Sequence, residues 1–397
     1  MTRFLSLQLF RLLAALLLLD IASPLHAQTG YFVTNLGTLG GTEGFAYAVN
    51  LQGQVAGASL ATGNTGYLAF RTARNHAIDP ATDDLGTLGG AVSYAQAINI
   101  WGQVAGSART SNSALHAFRT DPERAINPAT DDLGTLGGTQ SEAWGINDLG
   151  QVAGDAFVDS GDTILHAFRT APNRAIHPAT DDLGTLGGTQ SSALGINDWG
   201  QATGYSSTSG NTLDHAFRTA PNRPIDPATD DLGTLGGSES FGLAINGWGQ
   251  VAGYAYIPED QAFRAFRTAP NRPINPATDD LGTLGGSESF ALAINDWGQV
   301  AGYSFTDAYD SIVHAFLFSG GAIYDVNNLI PANSGWDLQV IYGINDVGQM
   351  VGIGTYNGQL FPVLLTPASK GLCNGSGWQN FGFQNEGQCM QFANAGK

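Results

Sequence analysis

Along this chain the hydrophobic positions come in short bursts, not helical steps. One stretch shows the pattern. Glu142–Asn147 (EAWGIN) reads as a first strand and Asp148-Leu149-Gly150 as a tight turn. Gln151–Phe157 (QVAGDAF) is a second strand, followed by a variable polar loop. Leu165–Thr170 (LHAFRT) is a third strand, Ala171–Thr180 a Pro/Asn-rich connection, and Asp181–Leu186 (DDLGTL) a fourth strand. Short Val-, Ile- and Phe-bearing runs bounded by Gly, Asn and Asp predict strands. After residue 30 no segment sustains a helical period.

The pattern repeats. LGTLGG begins at Leu36, Leu85, Leu133, Leu183, Leu232 and Leu281. A string close to INDWGQVAG places its Asn at Asn50, Asn99, Asn147, Asn197, Asn246, Asn295 and Asn345. A third, HAFRT, places its Phe at Phe70, Phe118, Phe168, Phe217, Phe266, Phe316 and Phe361. The seventh LGTLGG slot holds the degenerate YDVNNLI, Tyr324–Ile330. Seven four-stranded units of about 49 residues predict an all-β, seven-bladed β-propeller over residues 28–367. Tyr31–Leu39 is an isolated fourth strand, and the last unit stops after its third strand near Pro367. Pairing the two ends completes blade seven and removes an exposed sheet edge. Strand one is then innermost, which suits its small residues, and the Gly-Gly links run from rim to centre.

The first 27 residues are set apart. Arg3 and Arg11 precede the apolar run Leu12–Leu19, and a small residue, Ala27, ends the segment. This predicts a secretory signal peptide cleaved after Ala27. The protein is expected outside the cytoplasm, in the periplasm or the medium. Nothing later is apolar for 18 residues, so no membrane span is expected. Without Arg3, Arg11 and Asp20 the chain keeps 14 basic and 33 acidic residues, a net charge of −19. That opposes nucleic acid, whose phosphates need clustered Lys and Arg. Residues 368–397 form a separate C-terminal segment containing Cys373 and Cys389, expected to make one disulfide in an exported protein. Free or metal-binding thiols are the lesser alternative.

The strings DLGTLGG, S-x-A-x-x-IN-x-x-GQVAG and HAF resemble the HAF-repeat family of bacterial extracellular proteins over about residues 31–366. The resemblance implies an exported, propeller-like protein and brings no catalytic assignment. Leu68 and Arg264 replace the motif His, and Gln359-Leu360-Phe361 replaces HAF in the last unit. The tail resembles a short Cys-bracketed module of secreted bacterial proteins.

Candidate chemistry must be separated from framework. The repeated Asn-x-x-Gly-Gln first implies a hairpin turn. His116, His166, His215 and His314 share a slot on strand three, away from the axis, so packing or hydrogen bonding between blades is expected over metal ligation. The pairs Asp83-Asp84, Asp131-Asp132, Asp181-Asp182, Asp230-Asp231 and Asp279-Asp280 could take calcium, the one cofactor considered. Turn capping and pairing with Arg74, Arg124, Arg174, Arg223 and Arg272 is the simpler reading. Trp101, Trp199, Trp248 and Trp297 occupy the turn after strand one, so they should ring one channel mouth, covering a core or stacking on a ligand. The loops between strands two and three vary most. Their acids Asp155, Asp159, Asp162, Glu259, Asp260, Asp307 and Asp310 are further ligand-binding candidates, against a reading as solvated charge. No GxSxG, HExxH, P-loop or CxxC is present.

These features point to a secreted, monomeric binding or scaffold module with a glycan, surface or protein ligand on a propeller face. Two alternatives stay open: a polysaccharide hydrolase or lyase with its site at the channel mouth, and a structural cell-envelope component.

Overall fold

A computed structural model describes residues 30–395; the expected signal peptide and its cleavage point at Ala27 lie outside the described residues. Seven antiparallel sheets follow one another around a closed ring. Blade 3, for example, is Ser141–Ile146, Val152–Phe157 and Leu165–Arg169. Blade 7 is Trp336–Ile344, Met350–Tyr356 and Gln359–Pro367, completed by Tyr31–Asn35 from the other end of the chain. Tyr31 pairs with Pro367 and Asn35 with Val363. The ring therefore closes through the N-terminal strand, as the split repeat predicts.

In blades 1 to 5 the fourth strand is reduced to one bridge, such as Phe168 to Asp182. The cause is local: in blade 3 Pro178–Asp181 forms a helical turn right up to Asp182, where the closing strand has the extended Tyr31–Thr34 before Asn35. Blade 6 departs from this, with a regular fourth strand at Ala322–Asp325.

Adjacent blades share one core each. Between blades 3 and 4, Ala153 and Ala167 meet Leu183, Leu186, Ala193, Ala202, Phe217 and Ile225. The HAF phenylalanines Phe70, Phe118, Phe168, Phe217, Phe266 and Phe316 are fully buried. Room for each ring comes from the last Gly of GQVAG. A Cβ on Gly154 would lie 1.9 Å from the Glu142 carbonyl oxygen and 2.8 Å from the Phe168 ring. In blade 7 the register sets Val363, not Phe361, opposite the equivalent Gly352. The phenylalanine slot of the seventh unit is thus two residues later than the spacing suggests, and a fully buried valine fills it.

Cys373 and Cys389 form a disulfide. It ties Lys370–Cys373 to a helix at Glu386–Ala395, the one helix longer than two turns among the described residues. The helix buries only Cys389 and Phe392, one turn apart, too little to mark a period in the sequence. The tail covers Phe32 of the closing strand. Phe381 stacks on it at 4.2 Å between centroids, with Phe383 and Phe392 at 5.9 and 5.6 Å. The Ala368 amide also donates to the Gly30 carbonyl. The tail thus clasps the strand that closes the ring.

Candidate functional site

The topology separates two ends of the ring. Turns from strand one to two, and loops from three to four, lie at one end. Loops from strand two to three, and links from four to the next strand one, lie at the other.

At the first end the repeated asparagines form a closed girdle. Asn197 Nδ2 donates to the Asn246 carbonyl of the next blade at 3.0 Å and to Gln201 Oε1 at 2.9 Å. Its Oδ1 accepts from the Trp199 and Gln201 amides. The same bonds recur around the ring, and Asn345 Nδ2 donates to the Asn50 carbonyl to complete it. All seven asparagines are buried. The turn motif is framework, held by buried polar groups that are satisfied.

The four tryptophans stand on this girdle. Trp101 Nε1 donates to the Asp148 carbonyl, Trp199 to Gly247, Trp248 to Asp296 and Trp297 to Asp346, at 2.8–3.0 Å. Each indole is hooked onto the next blade. The residues nevertheless stay 45–67% exposed. Three of them, Trp199, Trp248 and Trp297, stand on consecutive blades. In blade 1 the slot holds Gln52, whose Nε2 makes the equivalent bond to the Ile100 carbonyl. Leu149 and Val347 fill it in blades 3 and 7.

Each histidine's closest bond lies within its own blade, and His215 adds one to the backbone of Ser238 in the link to blade 5. His116, His166 and His215 Nδ1 lie 2.9–3.0 Å from Asp132, Asp182 and Asp231 on the fourth strand. The Asp is the bridge residue of strand four, and the His stands two residues before the bridged Phe of strand three. The contact raises the His215 pKa, chiefly through the Asp231 hydrogen bond. The first acid of each pair caps its loop: Asp181 accepts from the His177 amide and the Thr180 hydroxyl. The charge it faces is Arg169 of the HAFR string, where the sequence suggested Arg174. Burial pushes Arg169 down to about 10.

At the opposite end the loop acids serve their own turns. Asp159 accepts from the amides of Gly161, Thr163 and Ile164. Asp307 accepts from those of Tyr309, Ser311 and Ile312. These bonds lower both carboxyl pKa values, led by the Ile164 amide for Asp159 and the Ser311 hydroxyl for Asp307. Asp162, Asp260 and Asp310 have φ of +52°, +52° and +50° and accept from Thr139, Ser238 and Ser287 of the neighbouring link. Asn64 and Asn211 do the same work in blades 1 and 4. Glu259, also at positive φ, accepts from Gln261.

Asp155 is different. It lies in strand two, not in the loop, directly opposite Glu142 of strand one. Its Oδ2 accepts from Trp144 Nε1 at 2.8 Å and from Ser192 of blade 4 at 2.5 Å. Burial raises the Asp155 carboxyl above the usual range, against those two bonds. Burial, then the Asp155 charge, raises Glu142. Here the structure brings together titratable groups that the strand-one strings do not advertise. Trp144 is presented by a β-bulge: pairing skips from Ala143 to Gly145. Each blade has the same bulge, carrying Tyr47, Gln96, Trp144, Leu194, Leu243, Leu292 or Tyr342. A bulge turns one side chain out of the alternation. The Tyr47 and Tyr342 rings, from blades 1 and 7, meet at 5.4 Å.

The expected sites therefore do not form one cluster. The tryptophans occupy one end and the loop acids the other. Among the described residues no group of three or more His, Cys, Asp or Glu is placed to share a metal ion, and no helix is long and apolar enough to cross a membrane.

Comparison with known proteins gives no family-model match and no match to a curated protein. The WD40 domain of Toxoplasma gondii coronin aligns over 85% of each chain with TM-score 0.41 and 13% identity. A Burkholderia pseudomallei lectin, BP39L, aligns over 86% of this chain and 97% of its own, with TM-score 0.35 and 12% identity. Values of this size bear on neither ligand nor activity.

Proposed function

We propose that this chain is a non-catalytic binding module that engages a glycan through the tryptophan-bearing end of the ring, and that it acts after export. The observation behind the reading is the arc Trp199, Trp248 and Trp297, whose indole N–H groups are spent on the next blade while the rings stay about half to two-thirds exposed. An indole so held has its polar handle satisfied and offers only a flat apolar face. Such faces stack on the C–H side of a sugar ring, and rings already fixed lose little entropy on binding.

Blade 1 supplies the control. Gln52 keeps the inter-blade bond without an aromatic ring. A Trp199→Gln/Trp248→Gln/Trp297→Gln variant should melt like the wild type yet lose signal on a glycan array. An array on which the wild type binds nothing, or on which the variant binds equally, overturns the reading. Export is checked by N-terminal sequencing of the secreted chain, with Gln28 the expected first residue.

A hydrolase or lyase is the second reading, and the Glu142–Asp155 pair favours it. The pair ranks second because Asp155 is only 8% exposed and its Oδ2 is already occupied. Turnover on a polysaccharide panel, abolished by Glu142→Gln, is the result that would promote it.

A further inference from the structure

A ring of near-identical blades can build a single site only where the repeat fails. It fails most at blade 6, where YDVNNLI replaces LGTLGG. The chain there completes a fourth strand at Ala322–Asp325 and enters a 3-10 turn, Val326–Leu329. The Gly-Gly link that follows strand four elsewhere is gone. A cleft of about 380 Å³ results, lined by Leu284, Thr306, His314, Tyr324, Asp325 and Asn328 over Ile323 and Leu329.

His314 carries the framework bond, Nδ1 to Asp325 at 2.8 Å. Its other nitrogen differs. In blade 4 the backbone of Ser238, in the link to blade 5, hydrogen-bonds the equivalent imidazole. In blade 6 no such link covers the ring; His314 Nε2 lies 3.8 Å from Asp337, and the imidazole walls the cleft. The Asp325 charge is already met by His314 and by the Asn327 amide. An anion would face this carboxylate in an acidic chain, and among the described residues no third ligand joins His314 and Asp325 to hold a metal. What the walls offer is an imidazole, a side-chain amide, a phenol and a hydroxyl above an aliphatic floor. A concave site of a few hundred Å³ with a few convergent polar groups suits a small molecule.

We propose that this cleft binds a small, uncharged, polyhydroxylated molecule of monosaccharide size, independently of the tryptophan arc. Tyr324 and the aliphatic floor would meet its C–H face, and His314 and Asn328 its hydroxyls.

The test is calorimetric titration of the full chain with single hexoses, pentoses and N-acetylhexosamines at millimolar concentration. At least one should bind, and Asn328→Ala, at an exposed position, should weaken it about tenfold, the loss of one to two hydrogen bonds. Ile323→Trp, which fills the floor, should abolish binding; Leu284→Phe serves the same end if that variant does not fold. The Trp→Gln triple variant should bind the sugar normally, which separates this site from the arc. Absence of binding to the whole panel overturns the proposal. So does binding that survives Asn328→Ala and the filled floor, or that is lost only in the triple variant.

Discussion

Two junctions between blades use the same backbone positions for opposite chemistry. Between blades 5 and 6 the slots hold Phe241, Tyr254 and Phe290. Phe241 stacks on Tyr254 at 5.0 Å, and Tyr254 meets Phe290 edge-on at 4.9 Å. Between blades 3 and 4 the same slots hold Glu142, Asp155 and Ser192: Ser192 donates to Asp155, and Glu142 lies directly opposite Asp155. The backbone register is unchanged, bulge included. The ring therefore does not dictate what lies between blades; it demands only that the gap be filled and that a buried acid such as Asp155 find donors. An aromatic filling gains from burial at any pH. A carboxyl filling gains only while its partners and its proton are in place.

The largest effect should come from emptying the aromatic junction. Phe241→Ala/Tyr254→Ala removes two large rings from a packed wall and should cost about 3–5 kcal/mol, measured by denaturant unfolding. Equal losses from this double change and from Asp155→Ala would erase the distinction between the junctions. Asp155→Ala should cost less, about 1–3 kcal/mol at neutral pH, because it strands the Ser192 hydroxyl and the Trp144 N–H.

A pH titration sharpens the comparison further. Glu142 and Asp155 both have pKa values raised in the folded ring. Folding then binds protons that the unfolded chain has released, so this junction is weakest above the folded pKa and gains stability as pH falls through it. Other carboxylates in the ring act oppositely. Asp182 and Asp231 are lowered by their His and glycine-amide bonds despite partial burial, and lose stability in acid. The measurement is therefore a difference. Between neutral and mildly acidic pH, the Tm of the wild type relative to Glu142→Gln should rise by a few degrees at most. A difference that stays flat, or falls on acidification, would mean that the pair is not held as described.

Much of this architecture is legible in the sequence because its causes repeat. Each Asn-x-x-Gly-Gln meets one need, a turn whose Asn side chain also reaches the next blade, so seven copies survive. The closing strand is readable because LGTL appears once without its blade. The bulges are not readable, since Tyr47, Gln96, Trp144 and Leu194 share a position but no chemistry. The inward turn of Asp155 was hidden for a related reason. Read along the chain it begins an acidic loop. Only when stacked against Ala58, Ser107, Tyr205 and Tyr254, its equivalents in other blades, does it stand out as an acid on a strand. For His116 and its equivalents the contact between blades is legible, but the Asp partner in the same blade is not, because strand four is pared to a bridge that still carries an Asp within reach. Val363 escaped because a β-branched residue can fill a phenylalanine slot when large neighbours such as Leu338, Ile341 and Met350 share its core.

The finest test sits on the border between the two chemistries. The Tyr205 ring meets Phe241 at 5.3 Å, as part of the aromatic wall. Its hydroxyl hydrogen-bonds Ser192 and feels the charges of Asp155 and Asp214, which, after burial, raise its pKa. Tyr205→Phe keeps the ring contact and deletes only the hydroxyl. Ser192 retains its 2.5 Å bond to Asp155, so no buried acceptor is stranded. The loss should be at most about 1 kcal/mol, and the pH difference at Glu142 should persist. A cost near that of the Phe241→Ala/Tyr254→Ala double variant would instead make the hydroxyl the chief support of this junction. The contrast would then be one of degree: both gaps would depend on aromatic residues, and the acids would be tenants of a wall that Tyr205 holds up.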